Sequence, residues 1–250
     1  MDHPFGIDFG GTGIKGAPVD LSQGDFASDR VRIDTPRPAT PRAVADVLKV
    51  IVEKFPGSSA PVGVTVPGVV RRGVALSAAN IDKSWIGEDA DAIFTETLGR
   101  EVHVVNDADA AGLAEAEYGA AKGKGGLVLV TTLGTGIGSA FIYDGVLVPN
   151  SELGHLELDG VGAETRAATS ARERDGLSWK EWAERLTRYY RHVEKLFTPD
   201  LFVVGGGVSK SWEKFGHLID IETDIIPAML QNRAGIVGAA LVAHQMAGKP

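Results

Sequence analysis

The spacing of apolar and polar positions predicts a chain that alternates between strands and helices. Short apolar runs bounded by glycine, proline or polar residues are typical of strands. They occur as hairpins at 4–19 and 127–142 and as single segments at 29–35, 61–66, 69–76, 102–105 and 201–204. Apolar residues at helical spacing predict helices at 41–54, 108–121, 177–197 and 234–246. These elements predict an α/β protein.

A glycine-rich turn occurs twice, each time after an apolar run. The first lies in Gly10–Ile14 and the second in Leu133–Ile137, and both contain Gly-Thr-Gly-Ile. Further apolar residues follow each turn, so each joins two strands, whereas a dinucleotide fingerprint or a Walker loop needs a helix after its glycines. One copy alone is an ordinary hairpin turn. Two copies predict a phosphate clamp, because glycine lets backbone N–H groups approach an anion closely.

The repeated turn also predicts two similar halves that share a cleft. No segment rich in Pro, Gly or Ser is long enough to separate independent domains. We therefore predict an N-terminal α/β lobe over 1–107, completed by a C-terminal helix at 234–250, and a C-terminal α/β lobe over 108–233.

Composition limits the class of protein. With 250 residues, 44% of them hydrophobic, the chain can bury a sizeable core. It has no apolar run of about 18 residues, and its first strand begins within a few residues of the start, so we expect no membrane span, no secretory signal and a cytoplasmic location. Because the sequence contains no cysteine, it can form neither a disulfide nor a thiolate zinc site, and we expect no zinc.

The formal net charge of −8 argues against a nucleic-acid partner, because such binding depends on neutralising backbone phosphates. Basic residues nevertheless cluster locally, at Arg71 and Arg72, Lys122 and Lys124, and Lys210 and Lys214. Each cluster is either a solvated face or a local positive surface that steers an anion.

Asp8 ends the first predicted strand, directly before the first glycine turn. A carboxylate beside a phosphate requires a cation between them, so Asp8 is predicted to bind Mg²⁺, directly or through water. Thr12 and Lys15, in the same hairpin, could offer a hydroxyl and an ammonium group to the phosphate. The alternatives are an aspartate that caps the turn and a solvated lysine.

Asn106 and Asp107 lie between a predicted strand and a predicted helix, where α/β folds place ligands. An aspartate at this position can accept the proton of a hydroxyl that attacks phosphorus, and Asn106 can orient the same alcohol. Asn-Asp is also a common turn dipeptide, so the pair alone leaves both interpretations open.

Glu152 and His155 flank the flexible Gly154, and Glu164 follows shortly after. Carboxylates and neutral imidazole suit the adjacent hydroxyls of a sugar, which need both donors and acceptors. A metal site formed by Glu152, His155 and Glu157 is the alternative, but it lacks a second histidine or a thiolate at ligand spacing. Sugar recognition is the preferred interpretation.

Taken together, these segments resemble the ROK family of sugar kinases. The resemblance is carried, over nearly the whole chain, by Gly6–Thr12, Val66–Gly68, Asn106-Asp107, Thr132–Gly138, Glu152–His155 and Gly205–Gly207. It implies a two-lobed actin/hexokinase-like (ribonuclease H-like) ATPase fold with the active site in the interlobe cleft. It also implies Mg²⁺-dependent phosphoryl transfer to the 6-hydroxyl of a hexose.

The resemblance further implies roles for individual residues. Asp107 would be the general base. The sugar would be held by Gly68, Asn80, Asn106, Asp107, Glu152, His155 and Glu164. The phosphoryl donor would be held by Asp8, with its magnesium ion, and by Gly10, Gly11, Thr12, Gly13, Lys15, Thr132, Gly134, Thr135, Gly136, Gly206 and Gly207.

Within the family, Gly6–Asp20 and Asn232–Ala240 are similar to the polyphosphate-dependent glucokinases and glucomannokinases. Typical family members carry a zinc-binding cysteine cluster after the Glu-x-Gly-His segment, and this sequence has none. The resemblance therefore implies glucose, and mannose as a further acceptor, with polyphosphate and also ATP as donors. Polyphosphate needs a cationic track, which Lys122, Lys124 and Lys210 could line.

Other functions stay open at this stage. An ATP-only hexokinase of the same fold would not consume polyphosphate. A non-catalytic sugar-sensing regulator of this fold carries a helix-turn-helix domain before the first strand, and we expect no room for one here. A filament-forming actin relative would have no use for the side chains of Asn106, Asp107, Glu152, His155 and Glu164. Both a monomer and a homodimer are compatible with the sequence.

Overall fold

The computed structural model describes residues 3–79 and 81–248. Its strands are β1 Phe5–Phe9, β2 Gly13–Asp20, β3 Asp25–Phe26, β4 Val31–Asp34, β5 Val62–Val66, β6 Val70–Arg71, β7 Val74–Ala75, β8 Val102–Asn106, β9 Leu127–Leu133, β10 Ile137–Tyr143, β11 Val146–Val148, β12 Glu157–Leu158, β13 Val161–Gly162, β14 Leu201–Gly205 and β15 Ile225–Pro227. Its α-helices are α1 Pro41–Glu53, α2 Ala90–Leu98, α3 Asp107–Tyr118, α4 Glu164–Ala167, α5 Thr169–Arg174, α6 Trp179–Phe197 and α7 Ala234–Met246. The chain is therefore α/β, as predicted.

The chain divides into two compact units. The first runs as far as Ala110 and resumes at Arg233, and the second spans Ala111–Asn232. The C-terminal helix α7 thus belongs to the first unit. Within the described ranges, no helix combines the length and the apolar character needed to cross a bilayer.

The first unit contains a six-stranded sheet with the strand order β3-β2-β1-β5-β8, and β4 also pairs with β2. The β1–β2 pair is an antiparallel hairpin, while β1, β5 and β8 run parallel. Strand β5 is buried along its whole length, as expected for a strand in the parallel part of a sheet. The carboxyl ends of β1, β5 and β8 therefore meet at one edge, which is followed by Gly10, Pro67 and Asp107.

The second unit repeats this arrangement with a five-stranded sheet in the order β11-β10-β9-β14-β15. Strands β9 and β10 form the antiparallel hairpin, and β14 and β15 continue the sheet in parallel with β9. The two similar hairpins predicted from the sequence are confirmed, and each begins a sheet of the same local topology.

Helix α7 packs closely on the first sheet because glycines face it. Gly6 and Gly63 are register partners on β1 and β5. A side chain at Gly6 would place Cβ 1.9 Å from the carbonyl oxygen of Ile236, and one at Gly63 would place it 1.8 Å from that of Ala239. Only glycine permits this contact between the helix backbone and the sheet.

Several elements differ from the sequence prediction. Helix α2 was not predicted, because only Ala90, Ile93 and Phe94 are buried in it and so few apolar positions give a weak periodicity. The capping residues of α2 could have revealed this helix in the sequence. Asp89 accepts a hydrogen bond from the backbone N–H of Ala92, and Gly99 has a left-handed backbone conformation. The segment predicted as one strand at 69–76 forms two short strands, β6 and β7.

Candidate active site

The first glycine turn connects β1 to β2, with Phe9 paired to Ile14. Its carbonyl groups are held from one side: the Thr35 hydroxyl donates to Gly10 O at 2.5 Å, and the Arg32 guanidinium donates to Thr12 O at 3.1 Å. These bonds fix the peptide planes of the turn. A turn with fixed peptide planes is a suitable cradle for an anion.

A cavity of about 250 Å³ adjoins this turn and is lined by residues that include Gly11, Arg37 and Asp82. Arg37 adds a cation beside the turn. Neither Arg37 nor the carbonyl-binding Arg32 lies in a motif, so the sequence offered no signal for either residue.

Asp8 and Lys15 are brought together on the β1–β2 hairpin. Lys15 Nζ lies 3.1 Å from Asp8 Oδ2, and the side chains are 28% and 24% exposed, respectively. The Thr65 hydroxyl, 3.3 Å from Asp8 Oδ1, holds the other carboxylate oxygen. Lys15 is therefore ion-paired and not simply a solvated strand lysine.

The Asp8 carboxylate fits a magnesium ion whose other ligands are water and the phosphate oxygens of a substrate. Mg²⁺ commonly uses one or two carboxylates and completes its octahedron with water and phosphate oxygens. Across residues 3–79 and 81–248 there is no group of three or more His, Cys, Asp and Glu side chains that could hold a metal ion. The alternative metal site at Glu152, His155 and Glu157 is accordingly not formed.

Asn106 connects two parts of the first unit. Its side-chain oxygen accepts from the backbone N–H groups of Ala108 and Asp109 at 2.8 and 3.0 Å, which caps α3. Its amide nitrogen donates to Gly68 O at 3.0 Å. Asn106 is 6% exposed, whereas Asp107, the first residue of α3, is exposed. Asn106 thus holds Gly68 and presents Asp107 at the edge of the sheet.

The second glycine turn connects β9 to β10 and is held in a similar way to the first. Ser170 donates its hydroxyl to Thr135 O at 2.6 Å and its backbone N–H to Gly134 O at 3.1 Å. Glu164 Oε2 accepts from the backbone N–H of Ile137 at 3.1 Å. A side chain at Gly136 would place Cβ 2.4 Å from the same carboxylate oxygen. Glu164, which is predicted to bind the sugar, therefore lies directly against the glycine turn that is predicted to bind the phosphoryl donor.

Glu152, His155 and Glu164 form one cluster, as the sequence suggested. His155 Nδ1 lies 3.8 Å from Glu152 Oε2, and His155 Nε2 lies 3.7 Å from Glu164 Oε1. The imidazole is 65% exposed and stands between two carboxylates. Burial raises the pKa of Glu152, with a further contribution from the Glu164 charge and an opposing one from His155. The cluster offers both donors and acceptors to a polyhydroxyl ligand.

The raised pKa of Glu152 predicts a pH-dependent effect of Glu152→Gln. Folded wild-type protein binds this proton more tightly than the unfolded chain does, so its free energy of unfolding falls as pH rises from the ordinary value of 4.5 through the raised pKa. Glu152→Gln has no carboxyl group at this position, so its free energy of unfolding does not fall for this reason. We expect its stability relative to wild type to increase across that window and then level off, as measured by urea unfolding at a series of pH values. Glu157→Gln, at an exposed position, is the control. A fall in the stability of Glu152→Gln relative to wild type as pH rises through this window would contradict the expectation.

Gly206 lies where β14 ends, in a segment that only glycine can occupy. Its φ is +84°, and a side chain there would place Cβ 2.4 Å from Leu133 O at the end of β9. Thr132 is the register partner of Gly205. Gly207 begins a 3₁₀ helix, Gly207–Lys214. The structure thus brings Thr132 and Gly206 next to the second glycine turn.

The basic clusters are all exposed. Lys210 and Lys214 lie on the 3₁₀ helix after Gly206, while Lys122 and Lys124 lie in the loop between α3 and β9. Arg71 ends β6, and Arg72 begins the turn between β6 and β7. Asn80, predicted to contact the sugar, lies outside the described residues.

Known proteins resemble this chain over nearly all of its length. The ROK family model matches residues 4–168. The polyphosphate glucokinase of Mycobacterium tuberculosis (strain CDC 1551 / Oshkosh) is 52% identical over 240 residues, which cover 96% of this chain and 90% of that protein.

Two crystal structures extend the comparison. The inorganic polyphosphate/ATP-glucomannokinase from Arthrobacter sp. strain KM matches with a TM-score of 0.94 and 56% identity, covering 98% of this chain and 99% of that chain. A ROK family glucokinase from Streptomyces griseus, in complex with glucose and AMPPNP, matches with a TM-score of 0.81 and 26% identity, covering 97% and 99%. The actin/hexokinase-like ATPase fold expected from the sequence is confirmed by these matches.

Proposed function

The chain belongs to the ROK family, and from this premise we propose that it transfers a phosphoryl group from inorganic polyphosphate, and also from ATP, to the 6-hydroxyl of glucose. One observation carries the assignment: Glu164 contacts both His155 and the second glycine turn. The side chains of Glu164 and His155, which suit sugar hydroxyls, therefore adjoin the second glycine turn, which suits phosphate. Two relatives that share more than half of its residues are named for polyphosphate, which supports that donor.

We assign the sugar to Glu152, His155 and Glu164, together with Gly68, Asn80 and Asn106. Carboxylates and imidazole can fix the orientation of adjacent hydroxyls through several hydrogen bonds. Mannose is included as a second acceptor, because it differs from glucose in the configuration of one hydroxyl and one similar structure is named a glucomannokinase.

In the proposed mechanism, Asp107 accepts the proton of the sugar 6-hydroxyl as its oxygen attacks the terminal phosphorus of the donor. A bond forms between that oxygen and phosphorus, the phosphoanhydride bond breaks, and the shortened donor leaves with the bond's electron pair. Asn106 positions Asp107 by capping α3. Lys15 and the backbone N–H groups of the two glycine turns hold the donor phosphates, where they stabilise charge that develops during transfer.

Magnesium would be held at Asp8, directly or through water, and would neutralise charge on the donor oxygens. At this site the protein supplies the Asp8 carboxylate and holds it in a fixed position. Thr65 fixes one carboxylate oxygen and Lys15 pairs with the other, so the carboxylate has a defined orientation.

The decisive experiment is hexose 6-phosphate formation by the purified protein with Mg²⁺ and glucose, run in parallel with nucleotide-free polyphosphate and with ATP. We expect product with polyphosphate and with ATP. Product with ATP alone would identify an ATP-only hexokinase and remove polyphosphate from the proposal. No product with either donor would overturn the kinase assignment and favour a sugar-binding protein without catalysis.

Glu164→Gln is expected to raise the KM for glucose by about 10- to 100-fold, as loss of a charge-assisted hydrogen bond of about 1.5–3 kcal/mol implies. Glutamine keeps an oxygen that can accept from the Ile137 N–H, so the second turn should stay in place and the KM for the donor should change little. Steady-state kinetics with both substrates varied would measure this. Glu173→Gln, at an exposed position on α5, is the control, and a larger effect on the donor KM would remove Glu164 from the sugar site.

A further inference from the structure

A second polar cavity lies in the second unit, and none of the residues assigned above to donor and sugar lines it. Its volume is about 380 Å³, and it lies among the β12–β13 hairpin, α4, α5 and α6. The residues that decide its chemistry are Asp159, Arg166, Arg174, Asp175, Arg185 and Arg188. A concentration of arginines is unexpected in a chain with a formal net charge of −8.

The charged side chains of this cavity form two groups, each with an aspartate shared by two arginines. Asp175 binds Arg174 and Arg185 at 2.8 and 2.7 Å. Asp159 binds Arg188 through both carboxylate oxygens and lies 3.8 Å from Arg166. With four arginines and two aspartates, the lining carries a net charge of +2.

This charge is fixed near neutral pH. Hydrogen bonds from Arg174 and Arg185 lower the pKa of Asp175 to about 2, and the hydrogen bond from Arg188 lowers the pKa of Asp159. Arginine stays protonated in proteins. The nearby Glu164 does not line the cavity, and its carboxylate is bound to the Ile137 N–H and adjoins His155. The cavity therefore matches a ligand with two negative charges.

Tyr189 supplies an independent sign of a ligand. Tyr189 is one of the residues that line the cavity, and it is 1% exposed. Its hydroxyl is buried and has no hydrogen-bond partner within the part of the chain that the structure describes. Buried hydroxyls are normally hydrogen-bonded. Burial raises the pKa of Tyr189 well above its usual value, so the group remains a neutral O–H donor that suits an anionic oxygen.

We propose that this cavity binds a phosphate group, carried either by inorganic phosphate or by a phosphorylated small molecule, at a site separate from the donor turns. Guanidinium groups match the geometry of phosphate oxygens, and a doubly charged phosphate neutralises the lining. The Tyr189 hydroxyl completes the set of donors. The proposal does not depend on the kinase assignment, because the cavity and its charges are independent of which reaction the protein catalyses.

The test is isothermal titration calorimetry with inorganic phosphate at constant ionic strength, on wild type, Arg188→Gln and Arg191→Gln. Arg188 and Arg191 are both exposed on α6 and both bind an aspartate, but Arg191 does not line this cavity. We expect Arg188→Gln to weaken phosphate binding by at least about tenfold, as for loss of one charged contact, and Arg191→Gln to leave it unchanged. Binding at the glycine turns would persist in both variants and would not contribute to the difference.

Tyr189→Phe keeps the proposal testable if Arg188→Gln fails to fold. It removes only a buried hydroxyl without a partner among the described residues, so we expect a melting temperature equal to or above that of wild type without phosphate. The rise when phosphate is added should be smaller than in wild type. The titrations are then repeated with glucose 6-phosphate and with short polyphosphate. The probe whose affinity falls most in Arg188→Gln identifies the kind of molecule that carries the phosphate group to this cavity. The proposal is overturned if wild type binds none of the probes, if Arg188→Gln and wild type bind equally, or if Arg191→Gln loses as much affinity.

Discussion

Asp107→Ala is expected to lower kcat for glucose phosphorylation by about 10²- to 10⁴-fold, the range that a positioned general base contributes. The structure supports a large effect because Asp107 is exposed at the first position of α3 while Asn106, immediately before it, is buried and bonded to both α3 and Gly68. The carboxylate is therefore presented by a rigid backbone. Alanine removes the proton acceptor and keeps that backbone.

The same variant should still bind glucose, since the other proposed sugar ligands are intact. Calorimetric titration with glucose separates the loss of the base from the loss of the sugar site. Glu117→Ala, at an exposed position on the same helix, is the control for a missing acidic side chain and should retain full turnover. Near-normal turnover by Asp107→Ala would show that another group accepts the proton.

Gly63→Ala is expected to reduce the free energy of unfolding by about 3 kcal/mol, the upper part of the range for overpacking a core. The added Cβ would lie 1.8 Å from the carbonyl oxygen of Ala239, and that oxygen belongs to the backbone of α7, which cannot move aside as a flexible side chain can. Helix α7 would have to lift from β5. A change of this size corresponds to a fall in melting temperature of about 6–12 °C in a chain of this length.

Gly125→Ala is the matched control. Its Cβ would lie 3.6 Å from the nearest side-chain oxygen, on Asp144, which is an ordinary contact. The glycine lies in an exposed loop. Urea unfolding of both variants should show a large loss for Gly63→Ala and almost none for Gly125→Ala. Equal, small changes would mean that α7 is not held against β5 at the observed distance.

The predictions from sequence succeeded where the signal is local. The two glycine turns were identifiable because each stands between apolar runs at strand spacing, and both proved to be hairpins. The cluster of Glu152, His155 and Glu164 was identifiable because its members lie within one short stretch of chain. Helix α2 was missed because its buried residues are few, although its caps at Asp89 and Gly99 were readable.

Residues that act through the backbone were harder to interpret. That Asn106 orients an alcohol stays a prediction, whereas the bonds by which its amide caps α3 and binds Gly68 O became visible only in the structure. An Asn-Asp dipeptide does not indicate which groups its amide will meet. Nor does spacing reveal the arginine cavity, because Arg166 and Arg188 meet the same aspartate only after the β12–β13 hairpin and α6 have packed together.

The sequence by itself determined the kinds of element, the two hairpins, the family and the chemical character of the proposed sites, because these depend on periodicity and on residues that are close along the chain. Only the tertiary structure decided that Thr65 holds Asp8, that Glu164 lies against Gly136, and that α7 packs on Gly6 and Gly63. These contacts join residues whose proximity arises from burial of the sheets and helices against one another. Local propensity contains no information about such distances, so they follow from the packing of the whole unit.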